Sequence, residues 1–395
     1  MTSGGRRRAI RVERPAFFGL RRMLARFLIQ FDTLTPITGD VLRGMLAALF
    51  SLAVAVLLGP RMIGWLGARF REPNVSDCSK IETLHRKKHA TPTMGGLFLV
   101  AAIVVSLALF GDWTHGGVGI ALLVALAFCG LGAVDDLIKL RRGKGISARA
   151  KLTAQIGIAV VAAILLWHQQ STLGQPLTLR VPLLGGSLAL GIGFIPLAVL
   201  VMVGSSNAVN LTDGLDGLAA GCLVFAVSAM AIVLAIAGAG EMLVLCGAMI
   251  GGLLGFLRFN RHPAQVFMGD TGSLPLGALL GLLAIAARQE LLLLVVGGVF
   301  VVEAVSVILQ VGSYKLRRRR IFLCAPLHHH FQLRGWPETR IVTRFWVASA
   351  LCAALGLAMW RMDGIEPPRR DLANQAPLDV AQDHAESNHG PSFTD

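Results

Sequence analysis

Residues 207–217 read Asn-Ala-Val-Asn-Leu-Thr-Asp-Gly-Leu-Asp-Gly and lie between two apolar runs, 189–205 and 218–238. Each run is long enough to cross a hydrocarbon core about 30 Å thick. Between two spans such a stretch has two uses. It can be a plain polar loop, with Gly214 and Gly217 easing the turn. Alternatively, Asp213 and Asp216 mark a site, because an ionisable side chain at membrane depth is costly and usually faces a water-filled cavity. Asn207 and Asn210 place amide donors and acceptors beside the acids. On this stretch alone the two readings stand level.

Composition decides the class. Apolar residues make up 54% of the 395-residue chain and charged residues 15%, with a mean hydropathy of +0.65. Soluble domains carry about 25% charged residues. The long apolar runs are continuous rather than alternating, which excludes a transmembrane β-barrel. The expectation is an all-α polytopic integral membrane protein of about ten transmembrane helices. Spans are expected at 43–65, 94–112, 118–134, 152–168, 189–206, 217–237, 241–257, 272–287, 290–312 and 341–361.

The net charge of +14 is concentrated between these runs. That distribution fits a lipid bilayer and phosphate-bearing partners rather than nucleic acid. Most interhelical lysines and arginines lie at 66–93, 137–151, 258–271 and 313–340, whereas the intervening connections hold only Arg180 and Arg288. The positive-inside rule therefore makes the first set cytoplasmic, together with the loop carrying Asp213 and Asp216. Arg6, Arg7, Arg8, Arg11 and Arg14 fall on the opposite side under this count.

Three regions follow: a basic N-terminal extension over 1–21, a membrane domain over 22–362, and a polar tail over 363–395 expected to be disordered. No apolar core follows the first arginines, so no cleavable signal peptide is expected. Residues 17–31 alternate Phe and Leu with arginine and read as an interfacial amphipathic helix. A short hairpin is expected within 176–189. The six cysteines form no Cys-x-x-Cys pair and read as small buried apolar residues.

The unusual polar residues gather on one side. His85 to Gly96 carries a basic cluster, including Lys88, and then Thr-Pro-Thr-Met-Gly-Gly, which offers the Thr93 hydroxyl and close backbone approach. Asp135 and Asp136 end the third expected span, with Lys139 and Lys151 beyond. Paired carboxylates there suit Mg²⁺, which takes one or two protein carboxylates plus substrate phosphates. A charged helix terminus is the simpler reading, but acids at a C-terminus oppose the macrodipole. Asp270, between Gly269 and Gly272, opens the eighth span as an N-cap or a metal ligand. Asn260 and Phe267 precede it. Glu303 and Gln310 sit inside the ninth span, and Glu303 ranks below the aspartates. Arg317 to Arg320 and His328-His329-His330 occupy the longest inner loop. Three consecutive histidines cannot share one helix face, so the loop is better suited to reaching into a phosphate site.

Together these residues describe a magnesium-dependent site for a phosphorylated substrate, where metal and cations neutralise charge during phosphoryl transfer. No Walker motif accompanies them. The segments Lys88–Gly96, Asp135–Lys139, Asn207–Gly217, Phe267–Leu274 and Ala325–Trp346 resemble, in order, the phospho-N-acetylmuramoyl-pentapeptide transferase family. That family belongs to the polyprenyl-phosphate N-acetylhexosamine-1-phosphate transferase superfamily. The resemblance spans about residues 22–362; the histidine loop with Trp336, Pro337 and Glu338 is particular to the muramoyl-pentapeptide branch.

The resemblance implies a Mg²⁺-dependent enzyme of the bacterial inner membrane, often a homodimer, with its active site at the cytoplasmic face. It implies transfer of phospho-N-acetylmuramoyl-pentapeptide from UDP-N-acetylmuramoyl-pentapeptide to undecaprenyl phosphate, releasing UMP. Asp135 and Asp136 match the acidic pair, with Asp135 the candidate base. Asp270 matches the metal-binding aspartate, with Asp136 beside it, and His328 the first catalytic histidine. Lys88, Thr93, Asn210, Asp213, Asp216, Asn260 and Phe267 match positions associated with the nucleotide. Lys139, Lys151, His329 and His330 are further candidates for phosphate contact. Ala90, Gly143 and Gln332 depart from the family's usual residues without removing a catalytic group. A transporter would instead spread acids along its spans and pair broken helices.

Overall fold

Lipid offers no partner for backbone N–H and C=O, so a chain this apolar satisfies them within helices. The computed structural model describes residues 36–70, 91–114, 116–174, 177–183 and 186–363. The extension 1–21, the amphipathic segment 17–31, the Lys88 cluster and the tail beyond residue 363 lie outside the described residues.

The helices are α1 (Pro36–Arg69), α2 (Gly96–Phe110), α3 (Gly117–Arg142), α4 (Ala148–Thr172), α5 (Phe194–Thr212) and α6 (Leu218–Ile236). They continue with α7 (Leu243–Asn260), α8 (Asp270–Ala286), α9 (Glu290–Val296), α10 (Gly298–Arg317), α11 (Leu327–Leu333) and α12 (Glu338–Met362). Eight helical stretches are long and apolar enough to cross a membrane, while α2 and α8 are shorter apolar helices. The chain is therefore an all-α, multi-pass membrane protein. The expected hairpin is present as β1 (Thr178–Val181) and β2 (Gly186–Ala189), antiparallel with Thr178 opposite Ala189.

Three differences from the expected spans bear on the site. The ninth span breaks at Gly297 into α9 and α10. Helix α3 runs on to Arg142, where Gly143 takes a left-handed conformation with φ 71°. Asp135 and Asp136 thus stand almost two turns inside the helix, and the macrodipole argument weakens there because that effect fades within the last turn. Helix α5 runs on to Thr212, so Asn207 and Asn210 are helical rather than loop residues. In both helices polar side chains prolong the helix because they find partners across the bundle.

Helix α8 is the centre, buried along nearly its whole length and packed mainly against α5 and α3. Small residues permit that approach. The Ser205 and Ser206 hydroxyls of α5 donate to Gly277 O at 2.7 Å and Leu274 O at 2.9 Å on α8. A second close seam joins α1 to α7. Gly247, Gly251 and Gly255 recur every fourth residue, and a Cβ added to the first two would strike the carbonyls of Gly44 and Ala48. Gly157 of α4, by contrast, has open space where a Cβ would stand.

Gly251→Leu is therefore expected to cost about 1–3 kcal/mol through overpacking. Gly157→Leu should leave stability unchanged or raise it slightly. Unfolding followed in detergent by tryptophan fluorescence separates the two, and equal stability of both variants would refute the seam.

Candidate active site

The end of α8 nearest the basic loops needs polar partners, because the first N–H groups of a buried helix have none of their own. Asp136 supplies them from α3. Its Oδ1 accepts from the Asp270 amide at 3.2 Å, and its Oδ2 accepts from the Thr271 amide at 2.9 Å and hydroxyl at 2.6 Å. Gly269, with φ 72°, makes the turn into α8, and a Cβ there would meet Asp136 Oδ2 at 2.6 Å. Only glycine fits both constraints.

Asp270 is brought among cations and amides by this arrangement. Asn210 Nδ2 of α5 donates to its Oδ1 at 2.7 Å and also reaches Ser273 Oγ at 2.8 Å. Lys139 Nζ lies 2.9 Å from Asp270 Oδ2 and 3.0 Å from Asp135 Oδ2. Lys151, in the first turn of α4, bonds Asp270 Oδ2 and lies 3.4 Å from Asp135 Oδ2. Asp135 Oδ1 accepts from the Ile146 amide at 2.6 Å, so the short α3–α4 connection folds back over the acid. Three carboxylates and two ammonium groups therefore share one buried cluster. Asp135 and Asp136 are 2% and 3% exposed, a burial such charges tolerate only when paired.

A pocket of about 250 Å³ opens beside this cluster. Asp136, Lys139, Asn210 and Asp270 line its charged end, and Asp213, Asp216, Asn260 and Phe267 its other side. Thr93 completes the predicted residues that line it. Thr93 arrives through a short backbone pairing: the Phe267 amide donates to Pro92 O at 2.8 Å, and the Gly95 amide to Phe267 O at 2.8 Å. That pairing is what the Thr-Pro-Thr-Met-Gly-Gly run builds.

Two lining residues also brace the wall. Asn260 Oδ1 accepts from the Gly217 amide at 3.0 Å, and its Nδ2 donates to Val266 O at 2.9 Å. Asp216 Oδ2 accepts from the Ala264 amide at 3.1 Å and faces His262 Nδ1 at 3.0 Å, while the Asp216 amide donates to Glu338 Oε1 at 2.8 Å. Ligand atoms of Asp216, His262 and Glu338 lie within 4.8 Å of one another, an arrangement that could hold a metal ion.

Asp135, Lys151 and the three histidines are not among the residues that line the pocket. His328 is wholly buried, and a Cβ on Gly214 would strike its Nε2, so glycine there is what lets the loop and imidazole meet. Glu303, also wholly buried, accepts from the Leu327 amide at 2.6 Å and the His328 amide at 3.1 Å, with His328 Nδ1 at 3.4 Å. The ring nitrogens of His328 make no hydrogen bond among the described residues; Nδ1 faces Glu303 and Nε2 faces Gly214. His329 Nδ1 meets Gln332 Oε1 at 2.7 Å, and His330 Nδ1 accepts from the Leu323 amide at 3.1 Å. Partial burial and then the Arg334 guanidinium hold His330 below the usual histidine value, which favours the neutral acceptor. Lys88 lies outside the described residues.

Glu303 is paired structurally with the Leu327 and His328 amides, in keeping with its rank below the aspartates, whereas sequence reasoning missed Thr271, Ser273 and the Gln155–Asn207 amide pair, joined at 2.8 Å. The available signal was an amide inside an otherwise apolar run.

Glu303→Leu removes both acceptors that hold the start of α11. Amide exchange at Leu327 and His328 should accelerate at least about tenfold, matching a lost hydrogen bond to a charged group of about 1.5 kcal/mol or more. Unchanged protection measured by mass spectrometry would contradict the brace.

Residues 118–288 match the family model described as Glycosyl transferase family 4. A protein of Koribacter versatilis (strain Ellin345), described as a phospho-N-acetylmuramoyl-pentapeptide-transferase, is 42% identical over 355 residues. The match covers 81% of this chain and 93% of that relative.

Proposed function

The chain belongs to the phospho-N-acetylmuramoyl-pentapeptide transferase family, and from that premise we propose how its pocket carries out the family's reaction. The reaction transfers phospho-N-acetylmuramoyl-pentapeptide from its UDP carrier to undecaprenyl phosphate, releasing UMP and forming the first lipid intermediate of peptidoglycan synthesis. A phosphate oxygen of the lipid forms the new bond to the sugar-bearing phosphorus. The bond from that phosphorus to the bridging oxygen breaks, and its electron pair leaves with UMP.

The observation that carries the reading is the convergence of Asp135, Asp136 and Asp270 with Lys139 and Lys151 at one end of the pocket. Lys139 and Lys151 neutralise the aspartates in the resting site and turn to the pyrophosphate oxygens when substrate enters. Asp135 then takes the proton from the lipid phosphate. Asn210 holds Asp270 in place, and Asp136 holds the start of α8 on which Asp270 sits. His328, oriented by Glu303, reaches the leaving phosphate past Gly214. Asp213, Asp216, Asn260 and Thr93 shape the nucleotide end, and Phe267 offers its face to uracil. Lys88, His329 and His330 complete the proposed substrate contacts.

The donor set fits Mg²⁺. It consists of hard carboxylate oxygens, and Asp270 and Asp136 both border the pocket. Asp270 would hold the ion first, and Asp136 would assist through the lone pair left on Oδ1. When bound, Mg²⁺ neutralises pyrophosphate charge and polarises the bond that breaks. The basic loops favour a pocket facing the cytoplasm, and the family reading extends to a bacterial inner-membrane placement and a homodimer.

UMP release from UDP-N-acetylmuramoyl-pentapeptide and undecaprenyl phosphate tests this directly. Chelating Mg²⁺ should abolish release. Asp135→Asn, Asp270→Asn and His328→Ala should each lower kcat by about 10²–10⁴. Full activity of Asp270→Asn would refute its metal role, and turnover of UDP-N-acetylglucosamine alone would refute the substrate assignment.

A further inference from the structure

The reaction leaves unused the densest charge on the molecule. Arg317 ends α10, Arg318, Arg319 and Arg320 follow it, and every residue from Lys315 to Ile321 is exposed. No acidic residue occurs between Glu303 and Glu338, and both of those carboxylates are engaged elsewhere. Beside the arginines, Leu316, Ile321 and Leu323 are 86%, 54% and 49% exposed.

A run of arginines that served only to orient the chain would need no fixed shape. This one is folded. Gln310, inside α10, accepts from the Ile321 amide at 3.0 Å and the Phe322 amide at 2.9 Å, and donates to Phe322 O at 2.9 Å. The Ser313 hydroxyl donates to Arg319 O at 2.8 Å. The turn thus lies back along the end of a helix apolar enough to span the membrane, which gives Gln310 a purpose. The Leu323 amide then bonds His330, joining the turn to α11.

We propose that the turn 318–323 is a built anchor for the anionic phospholipid headgroups of the bilayer. Arg317, Arg319 and Arg320 take headgroup phosphates, and Leu316, Ile321 and Leu323 enter the acyl boundary. Arginine suits phosphate through paired N–H donors, and a basic face beside exposed aliphatic residues is the pattern of interfacial segments. Each such cation strengthens association with an anionic surface roughly fivefold. Arg318 is left out, since its guanidinium lies 5.8 Å over the Tyr314 ring. Through His330 the anchor sets the height of the α11 helix that bears His328, a consequence that rests on the transferase reading.

The test uses the full chain in nanodiscs of phosphatidylcholine containing increasing phosphatidylglycerol. Spin-labelled lipids report which headgroup the protein retains, without turnover. Wild type should prefer phosphatidylglycerol, and the combined Arg317→Gln, Arg319→Gln, Arg320→Gln variant should lose at least about threefold of that preference. The corresponding lysine variant, which keeps the charge, should retain most of it. Gln310→Leu keeps every arginine but frees the turn, so it too should lose preference, with faster exchange at the Ile321, Phe322 and Leu323 amides. Equal preference in wild type and the glutamine variant would overturn the lipid site. Full preference in Gln310→Leu would overturn the built anchor. UMP release measured alongside should rise with phosphatidylglycerol in wild type and the lysine variant, and not in the glutamine or Gln310→Leu variants. Absence of UMP release from every protein, wild type included, would count against the transferase reading while the lipid preference stood.

Discussion

The carboxylate of Asp136 accepts from the Asp270 and Thr271 amides and the Thr271 hydroxyl, and the geometry of the pocket depends on that capping. A helix start buried inside a membrane protein has no water to take its free N–H groups. Asp136 serves them from another helix, so the capping also sets the distance between α3 and α8. Asp135 and Lys139 ride on α3, and Asp270 on α8. Moving either helix would break the cap and scatter the reacting groups together.

The charges then depend on one another. Asp135 and Asp270 share Lys139 and Lys151, and each ammonium touches both acids. Removing one member leaves its partner buried and unpaired, which typically costs about 3–5 kcal/mol. The surrounding apolar helices strengthen these interactions by excluding water, as an electrostatic site for phosphate chemistry requires. Lys151 sits in the first turn of α4, where a cation opposes the helix dipole. Its neighbours across the bundle, rather than its own helix, hold it there.

Much of this was legible in the residues. Each expected apolar run falls on a described helix, with 290–312 divided at Gly297, because span length is a local consequence of bilayer thickness. The site residues were legible as polar exceptions within apolar sequence, and Asp136, Lys139, Asn210, Asp213 and Asp270 do meet around one pocket. Less legible were their tasks. Asn260 and Asp216 matched nucleotide positions, yet their side chains also tie loops together. His328 matched a catalytic position, but its dependence on Glu303, 25 places earlier in the chain, has no local signature.

The opening stretch divides the two kinds of information. Its composition determined that two apolar segments turn about a polar site, because hydrophobicity and cost of burial belong to individual residues. Tertiary structure decided that Asn207 and Asn210 lie on helix α5, where one pairs with Gln155 and the other with Asp270. It also decided that Gly214 is the point of approach to His328. Those outcomes arise from which helices become neighbours, and hydrogen-bond partners distant in sequence exist only after the helices have packed.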